Sequence, residues 1–521
     1  MNLVKSTVVV SFFTLLSRIS GLVRDILMAS SFGASGLLGA FLVAFKIPNL
    51  LRRLFAEGSF SLAFIPVLNE VKAKRNQLML KHFVNHVFGC LLAVLLVVLI
   101  VLELFTPGLV SIFGVGFSDK PLLFNATVDM LRITLPYMLF ISLVAFSAGI
   151  LNSFGRFALP AATPILLNLS LILAILFLRD SLDEPVMALA YGVLIAGVLQ
   201  LLIQVPALMR LGLIPKPVIK FHDPEVKKVM TLMMPTLLGS SAAQINVLID
   251  TAIATLLPLA GSVAFLYYSD RMLEFPLGLF GIAISTVILP KLSVAFADLD
   301  RADYQQTMKW AMSLAMFIAL PSAIGLLLLA KPVIITLFVR GEFTVEDATY
   351  TAYSLMVIMI GLPAFVANKV LLPAFYSRQD TKSPVRIALR AMFFNVVFNF
   401  VCVGILYYFN VISLHVGLAM ASVGSAWLQC FWLYQKLRSD DVIQQPLLSL
   451  KFLFKIIISL VLMSAVVVWM LNWVPAWQQI SGIQKCLNLF MIIGLAGTVY
   501  FISMWILKGY NEIKSIHQKN N

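Results

Sequence analysis

The stretch from Ser17 to Gly58 reads SRISGLVRDILMASSFGASGLLGAFLVAFKIPNLLRRLFAEG. Charged side chains interrupt runs that are otherwise apolar enough to lie in a lipid bilayer. The basic residues are Arg18, Arg24, Lys46, Arg52 and Arg53, and the acidic residues are Asp25 and Glu57. A charge at the centre of a bilayer costs about 2.5–3.5 kcal/mol on insertion scales. The stretch therefore predicts membrane helices that face a water-filled cavity and bind a ligand in it.

The composition of the whole chain supports a membrane location. Of 521 residues, 60% are hydrophobic and 12% are charged, whereas soluble domains carry about 25% charged residues. Apolar runs of about 20 residues recur along the chain, which is the length needed to cross the hydrocarbon core as a helix. The predicted fold class is an all-α polytopic membrane protein.

Fourteen membrane helices are predicted. Their approximate ranges are 5–29, 34–56, 82–106, 127–152, 159–178, 185–208, 230–257, 262–282, 308–338, 350–376, 386–408, 413–435, 450–473 and 484–507. The connections after even-numbered segments are rich in Lys and Arg, while those on the other side include the acidic stretches 179–184 and 340–347. The positive-inside rule then predicts that both termini are cytoplasmic. This bias accounts for most of the net charge of +14, and no nucleic-acid partner is expected.

An internal repeat divides the chain. Pro66 and Pro290 lie in similar sequences 224 positions apart, and Pro160 and Pro384 have the same separation. We expect an N-lobe over 1–222, a C-lobe over 223–445, and two further helices with a short tail over 446–521. Because each lobe has six helices, the lobes are parallel repeats, an arrangement that commonly places a substrate cavity between them.

The charges of the first predicted helix differ in depth. Arg18 lies 13 residues after Lys5, about 20 Å into the helix, and Arg24 lies about 120° around it from Arg18. The two side chains share a face only if Gly21 bends the helix between them. Each arginine has a simpler role as the alternative to binding a ligand. For Arg18 that role is snorkelling or a structural pair, and for Arg24 it is snorkelling. Asp25 is a candidate for charge pairing within the cavity.

The second predicted helix carries a polar face. Lys46, Asn49 and Arg53 are spaced three and four residues apart, so they lie on one side of the helix. Arg53 and Glu57 form a candidate i,i+4 ion pair. Arg52 has no acidic residue nearby on its own face, and it is therefore the better candidate for binding a ligand.

The second lobe contributes the sequence YYSDRMLEFP. Arg271 lies about 14 Å into its helix, near the midplane, and either binds a ligand or is neutralised by Asp270 and Glu274. Because the guanidinium group is planar and always charged, a set formed by Arg18, Arg24, Arg52 and Arg271 suits a pyrophosphate. His82 and His86 have no evident third ligand, and the four cysteines are scattered, so neither a metal site nor another bound cofactor is expected.

Four motifs closely resemble those of the MurJ (MviN) family, the lipid II flippases of the MOP exporter superfamily. They are SRISGLVRD at Ser17–Asp25, AFKIPNLLRRLFAEGSFSLAFIPVL at Ala44–Leu68, YYSDRMLEFPLG at Tyr267–Gly278 and FYSRQDTKSPV at Phe375–Val385. The resemblance implies a transporter of the bacterial inner membrane that moves the peptidoglycan precursor lipid II by alternating access. It also implies that the important cavity arginines are Arg18, Arg24, Arg52 and Arg271, and that the last two helices accept the polyprenyl tail.

One position departs from the family pattern. Gly39 stands where the family commonly has an aspartate, which puts any role of that carboxylate in doubt here. The alternative function is a drug or cation antiporter of the same superfamily, in which Asp25, Asp270 and Glu274 bind the cation. A polyprenyl-phosphate enzyme is a third possible function. We expect a monomer that makes no covalent bond, is coupled to the membrane potential or a monovalent cation, and contacts membrane lipids and the cell-wall synthesis machinery.

Overall fold

The computed structural model describes residues 3–52, 60–74, 77–474 and 476–511. Within these ranges every regular element is helical, which confirms the predicted fold class. The α-helices are α1 (Leu3–Phe32), α2 (Gly36–Arg52), α3 (Phe60–Lys74), α4 (Gln77–Leu104), α5 (Thr106–Phe113), α6 (Pro121–Thr134), α7 (Pro136–Ser153), α8 (Ala158–Phe177), α9 (Met187–Leu202), α10 (Val205–Leu211), α11 (Pro224–Leu256), α12 (Ser262–Pro276), α13 (Ile282–Ala297), α14 (Arg301–Leu328), α15 (Ala330–Phe338), α16 (Val345–Tyr376), α17 (Lys382–Tyr408), α18 (His415–Ser439), α19 (Leu450–Trp473) and α20 (Gly482–Ile506).

Ten helical stretches in the described residues are long and apolar enough to cross a membrane. Shorter apolar helices add to them, among them Gly36–Leu50, Gln244–Leu256 and Ala283–Ala297. Over the residues that the structure describes, each of the fourteen predicted segments falls on helix, with 34–56 described as far as Arg52. Several of them are divided between two helices. Segment 127–152 is divided at Leu135, where Pro136 starts α7, 185–208 is divided between α9 and α10, and 308–338 is divided between α14 and α15.

Besides the short helix α5, the helices α3 and α13 lie between the predicted membrane segments. Each contains an internal proline, Pro66 in α3 and Pro290 in α13, and proline removes a helical hydrogen bond. Both nevertheless bury apolar side chains, including Phe64 and Leu292. Packing of these side chains outweighs the local cost of the prolines. Between α12 and α13, the residues Leu277–Gly281 form a π-helical turn directly after Pro276.

The chain forms two compact units, Met1–Val263 and Ala264–Asn521. In the N-terminal unit, α8 packs against α1 and α9, α2 packs against α6, and α11 packs against α3. Its core includes Phe64, whose ring stacks on Phe83 and lies against Phe146. The repeat boundary between residues 222 and 223 concerns sequence similarity rather than packing, and it stays a prediction.

The C-terminal unit is centred on α16, which packs against α14 and α18, while α17 packs against α18. The last two helices, α19 and α20, pair with each other, and α19 also packs against α14. The hydroxyl of Tyr500 donates to the backbone carbonyl of Phe317 at 2.8 Å. This bond fixes α20 against α14 through a buried polar contact.

Candidate functional site: charged clusters within the helices

The first cluster centres on an ion pair within α1. The Nη2 and Nε atoms of Arg24 lie 2.6 and 2.9 Å from Oδ1 of Asp25. Both residues are buried, with exposed fractions of 5% for Arg24 and 2% for Asp25. Arg24 Nη1 also donates to Oδ1 of Asn168 in α8 at 2.8 Å. In this structure Arg24 is therefore not a snorkelling side chain, and its donors are directed at protein groups.

Asn168 is a residue that the sequence analysis missed. Its Nδ2 atom donates to the carbonyl of Ser17 at 2.9 Å and to Oγ of Ser20 at 3.0 Å, while its oxygen accepts from Arg24. Gly21 lies beside this contact, and a Cβ built there would lie 3.5 Å from Nδ2 of Asn168, an ordinary van der Waals distance. An asparagine inside the apolar run ILLNLSL is the signal that pointed to a polar interhelical contact.

Arg18 lies six residues before Arg24 on the same helix and is half-buried. Helix α1 stays α-helical through Gly21, so the bend that would bring the two arginines onto one face is not seen in this described helix. Their side chains leave α1 about 120° apart.

The second cluster lies along α2. The ammonium group of Lys46 donates to Oγ1 of Thr251 in α11 at 2.6 Å, and Thr251 is buried. Further along, Nε of Arg52 donates to Oδ1 of Asn49 at 2.9 Å. This contact orients the guanidinium of Arg52 from its own helix. Arg53 and Glu57 lie outside the described residues, so their ion pair stays a prediction.

The third cluster lies in α12 of the C-terminal unit. Arg271 Nη1 is 2.6 Å from Oε2 of Glu274, and its Nε and Nη2 atoms lie 3.4 and 3.3 Å from the hydroxyl of Tyr267. The guanidinium also lies over the Tyr267 ring, 5.2 Å from its centroid. Asp270 is exposed beside this group. Glu274 therefore supplies the neutralising contact that the sequence analysis considered, and Tyr267 orients the guanidinium plane.

The two histidines of α4, His82 and His86, have ring centroids 6.2 Å apart. His86 Nδ1 lies 2.8 Å from Oδ2 of Asp223, the residue whose carboxylate caps α11 by accepting from the amides of Glu225 and Val226. Burial opposes ionisation of Asp223, but the hydrogen bonds from His86 and from these amides outweigh it and lower the pKa of the carboxyl. Within the described ranges, no three His, Cys, Asp or Glu side chains are grouped to hold a metal.

Gly39 is buried in α2. A Cβ built there would lie 3.7 Å from Cβ of Val263 and 3.8 Å from the carbonyl of Ala260, which are ordinary van der Waals distances. The position therefore does not require glycine for space.

Comparison with known proteins identifies the family. The profile described as "Lipid II flippase MurJ" matches residues 28–486. The chain belongs to the MurJ family. The family's "Probable lipid II flippase MurJ" of Vibrio cholerae serotype O1 is 39% identical over 515 residues, covering 98% of this chain and 96% of the relative. The "Lipid II flippase MurJ" of Burkholderia cenocepacia is 36% identical over 518 residues, covering 97% and 98% of the two chains.

Solved structures give the same fold. "Lipid II flippase MurJ, inward closed conformation" matches with a TM-score of 0.78 at 24% identity, covering 95% of this chain and 99% of that one. An inward-facing MATE family multidrug resistance transporter of the MOP superfamily matches with a TM-score of 0.67 at 14% identity, covering 83% and 98%. These likenesses concern the fold alone. The MurJ family and the multidrug transporters therefore share this helical architecture.

Proposed function

We propose that the protein is a lipid II flippase, which moves the polyprenyl-pyrophosphate-linked peptidoglycan precursor from the inner to the outer leaflet of the bacterial inner membrane. The observation that carries the proposal is membership of the MurJ family over most of the chain. The arginines at the motif positions suit the pyrophosphate, because each guanidinium presents a planar fork of donors to phosphate oxygens.

The four arginines have unequal roles in this proposal, which the contacts of Arg24, Arg52 and Arg271 support. We place Arg18, Arg52 and Arg271 as the pyrophosphate ligands. Arg52 is oriented by Asn49, and Arg271 is oriented by Tyr267. Arg24 binds the substrate only in a state in which it has left Asp25; in the state described here it ties α1 to Asn168 of α8. Lys46 contributes a cation to the polar face of α2 and is held by its hydrogen bond to Thr251.

The transport cycle follows from this assignment. The two repeats rock about the bound substrate, which changes the membrane side that the site faces. The headgroup crosses with the arginines while the tail stays in lipid, so no covalent bond is made or broken. Moving one elementary charge across 100 mV is worth about 2.3 kcal/mol, and a cationic site therefore makes the cycle sensitive to the membrane potential. A monovalent cation is the other candidate for coupling.

We place both termini in the cytoplasm and treat the protein as a monomer that interacts with the cell-wall synthesis machinery.

The antiporter alternative has weaker support. Its carriers would be Asp25, Asp270 and Glu274, which must bind and release cations. Asp25 is paired with Arg24 at 2.6 Å and Glu274 is paired with Arg271 at 2.6 Å. Both carboxylates are thus engaged by arginines of the same helix, whereas a cation carrier needs its carboxylates available to the cation. The shared fold does not favour either substrate.

The proposal is tested with purified protein in proteoliposomes, by following the accessibility of lipid II and of bare polyprenyl pyrophosphate in each leaflet. Wild type should translocate lipid II, and Arg18→Ala, Arg52→Ala and Arg271→Ala should each abolish translocation while inserting normally. Arg386→Ala, which alters an exposed arginine of α17, is the matched control and should retain activity. Normal lipid II translocation by all three cavity variants would refute the arginine assignment, and wild-type transport of organic cations without lipid II would favour the antiporter.

A further inference from the structure

A second charged site lies in the C-terminal unit, apart from the cluster around Arg271. It is a cavity of about 410 Å³, whose lining includes Phe296, Leu299, Arg301, Arg378, Asp440 and Asp441. We call it the Arg378 cavity. It forms where α13, α16 and α18 end and α14 begins. Its volume lies within the range of about 300–1,000 Å³ that is usual for small-molecule sites.

Arg378 has an unused donor in this cavity. Its Nε atom donates to the carbonyl of Ala374 at 3.1 Å, and Nη1 lies 3.9 Å from Oδ2 of Asp440. Its Nη2 atom is buried and has no hydrogen-bond partner among the described residues. The nearby Tyr304 hydroxyl is already bonded to Ala374 and Ser377. A buried charged donor without an acceptor is costly, so an acceptor group from a ligand would be stabilised here.

Carboxylates lie on the lining of the same cavity. Asp440 accepts from Lys436 at 2.7 Å, and Asp441 is exposed, with a left-handed backbone at φ 54°. Arg301 supplies a second, exposed guanidinium. The cavity therefore offers cationic donors and anionic acceptors together, a combination that matches a ligand carrying both a phosphate and an ammonium group.

Apolar side chains adjoin these charges at the end of the membrane-spanning helices. Leu299 is 83% exposed and Phe296 is 44% exposed. One candidate span begins here at Arg301, and two end here at Tyr376 and Ser439. From these span ends we infer that the cavity lies where the hydrocarbon core meets the headgroups. An exposed leucine is stabilised at that depth by contact with acyl chains.

The N-terminal unit has a different arrangement at the corresponding helix end. The 224-residue offset places Ser153 opposite Ser377 and Lys72 opposite Phe296. In the N-terminal unit Lys72 donates to the carbonyl of Ser153 at 2.7 Å and lies 4.0 Å from the ring centroid of Phe154. In the N-terminal unit, Lys72 thus occupies the helix end. In the C-terminal unit Phe296 stands at the position of Lys72, and the cation at this helix end is Arg378, at the position of Phe154. Its Nη2 donor is directed at no described residue.

We propose that the Arg378 cavity binds the headgroup of a zwitterionic aminophospholipid. The phosphate accepts from Arg378 and Arg301, the ammonium donates to Asp441 and Asp440, and the acyl chains run along Phe296 and Leu299. The lining carries three aspartates, Asp300, Asp440 and Asp441. They repel an anionic headgroup that has no amine, and a quaternary ammonium has no N–H to donate to them. With cytoplasmic termini, the lipid comes from the cytoplasmic leaflet.

The test uses delipidated full-length protein in detergent, with lipid retention measured by native mass spectrometry and thermal stability measured as lipid is added. Phosphatidylethanolamine should bind about tenfold more tightly than phosphatidylglycerol or phosphatidylcholine, a difference of about 1.4 kcal/mol. Arg378→Gln and Asp441→Asn should each remove that preference, and Arg386→Gln should keep it.

Separate arms distinguish the headgroup from simpler ions and from a folding defect. Soluble phosphoethanolamine should compete with the lipid, whereas inorganic phosphate at the same concentration should not. Since Asp441 is exposed, Asp441→Asn remains informative if Arg378→Gln fails to fold. Equal retention of the three lipids by wild type, equal competition by phosphate, or an unchanged preference in Asp441→Asn would overturn the proposal.

Discussion

Arg24 and Asp25 are neighbours in the chain and form a buried ion pair in α1, with Nη2 and Oδ1 2.6 Å apart. Adjacent residues on a helix point about 100° apart, so this pairing requires the long arginine side chain to turn back along the helix. Asn168 holds the guanidinium in that position from α8. Arg24, Asp25 and Asn168 thus form one polar contact between α1 and α8, and the strength of this contact depends on all three side chains.

We predict that Asp25→Asn destabilises the protein by about 3–5 kcal/mol, because it leaves the guanidinium of Arg24 buried without its counter-ion. Unfolding in detergent measures the change. The double variant Arg24→Gln with Asp25→Asn should recover a large part of the loss, since both charges are then removed. Equal losses in the single and double variants would show that the ion pair is not the stabilising element.

Gly39→Ala should leave the unfolding free energy unchanged or raise it by up to about 1 kcal/mol, because alanine is a better helix former and its Cβ fits. Gly89→Ala is the matched control in α4, where a Cβ would lie 2.4 Å from the carbonyl oxygen of Val218. That variant should unfold at a clearly lower temperature. If Gly39→Ala were as damaging as Gly89→Ala, glycine would be required at position 39 for a reason other than space.

The His86–Asp223 contact should make stability depend on pH. The pKa of Asp223 is lowered from 3.8, so its stabilising contribution is complete above about pH 3.8 and is lost as the pH falls through the lower folded value. Asp223→Asn keeps a residue that can cap α11 but removes the charge. Its unfolding temperature should be below that of wild type at neutral pH, and the gap should close in acid. A gap that does not change with pH would exclude the carboxylate as the cause.

Glu274→Gln should strengthen substrate binding if Arg271 binds pyrophosphate, because the variant removes the carboxylate that competes for the guanidinium. The half-saturating lipid II concentration in the proteoliposome assay should fall, while Arg271→Gln should abolish transport. Tyr267→Phe is the control that keeps the ring under the guanidinium and removes only the hydroxyl acceptor. A higher half-saturating concentration in Glu274→Gln would indicate that Glu274 positions Arg271 for binding.

The sequence was sufficient for features that depend on composition and local spacing. Apolar runs located the helices, and the spacing of Arg271 and Glu274 placed them on neighbouring positions of α12. The contact of Arg24 with Asn168 joins residues 144 positions apart, and no local pattern specifies such a pairing. The helices α3 and α13 were missed because Pro66 and Pro290 weaken the helical signal, whereas tertiary packing of Phe64 and Leu292 stabilises them.

The π-helical turn at Leu277–Gly281 accommodates one residue more than an α-helix would over the same rise. The side chains of α13 are therefore rotated relative to the direction that a continuous α-helix from α12 would give them. Removing one residue from this turn would restore regular winding and rotate Ile288 and Leu292 out of the buried positions that they occupy. The turn thus fixes how the side chains of α13 are rotated about the helix axis relative to Arg271. The number of residues in this segment is therefore constrained, even where one side chain can replace another.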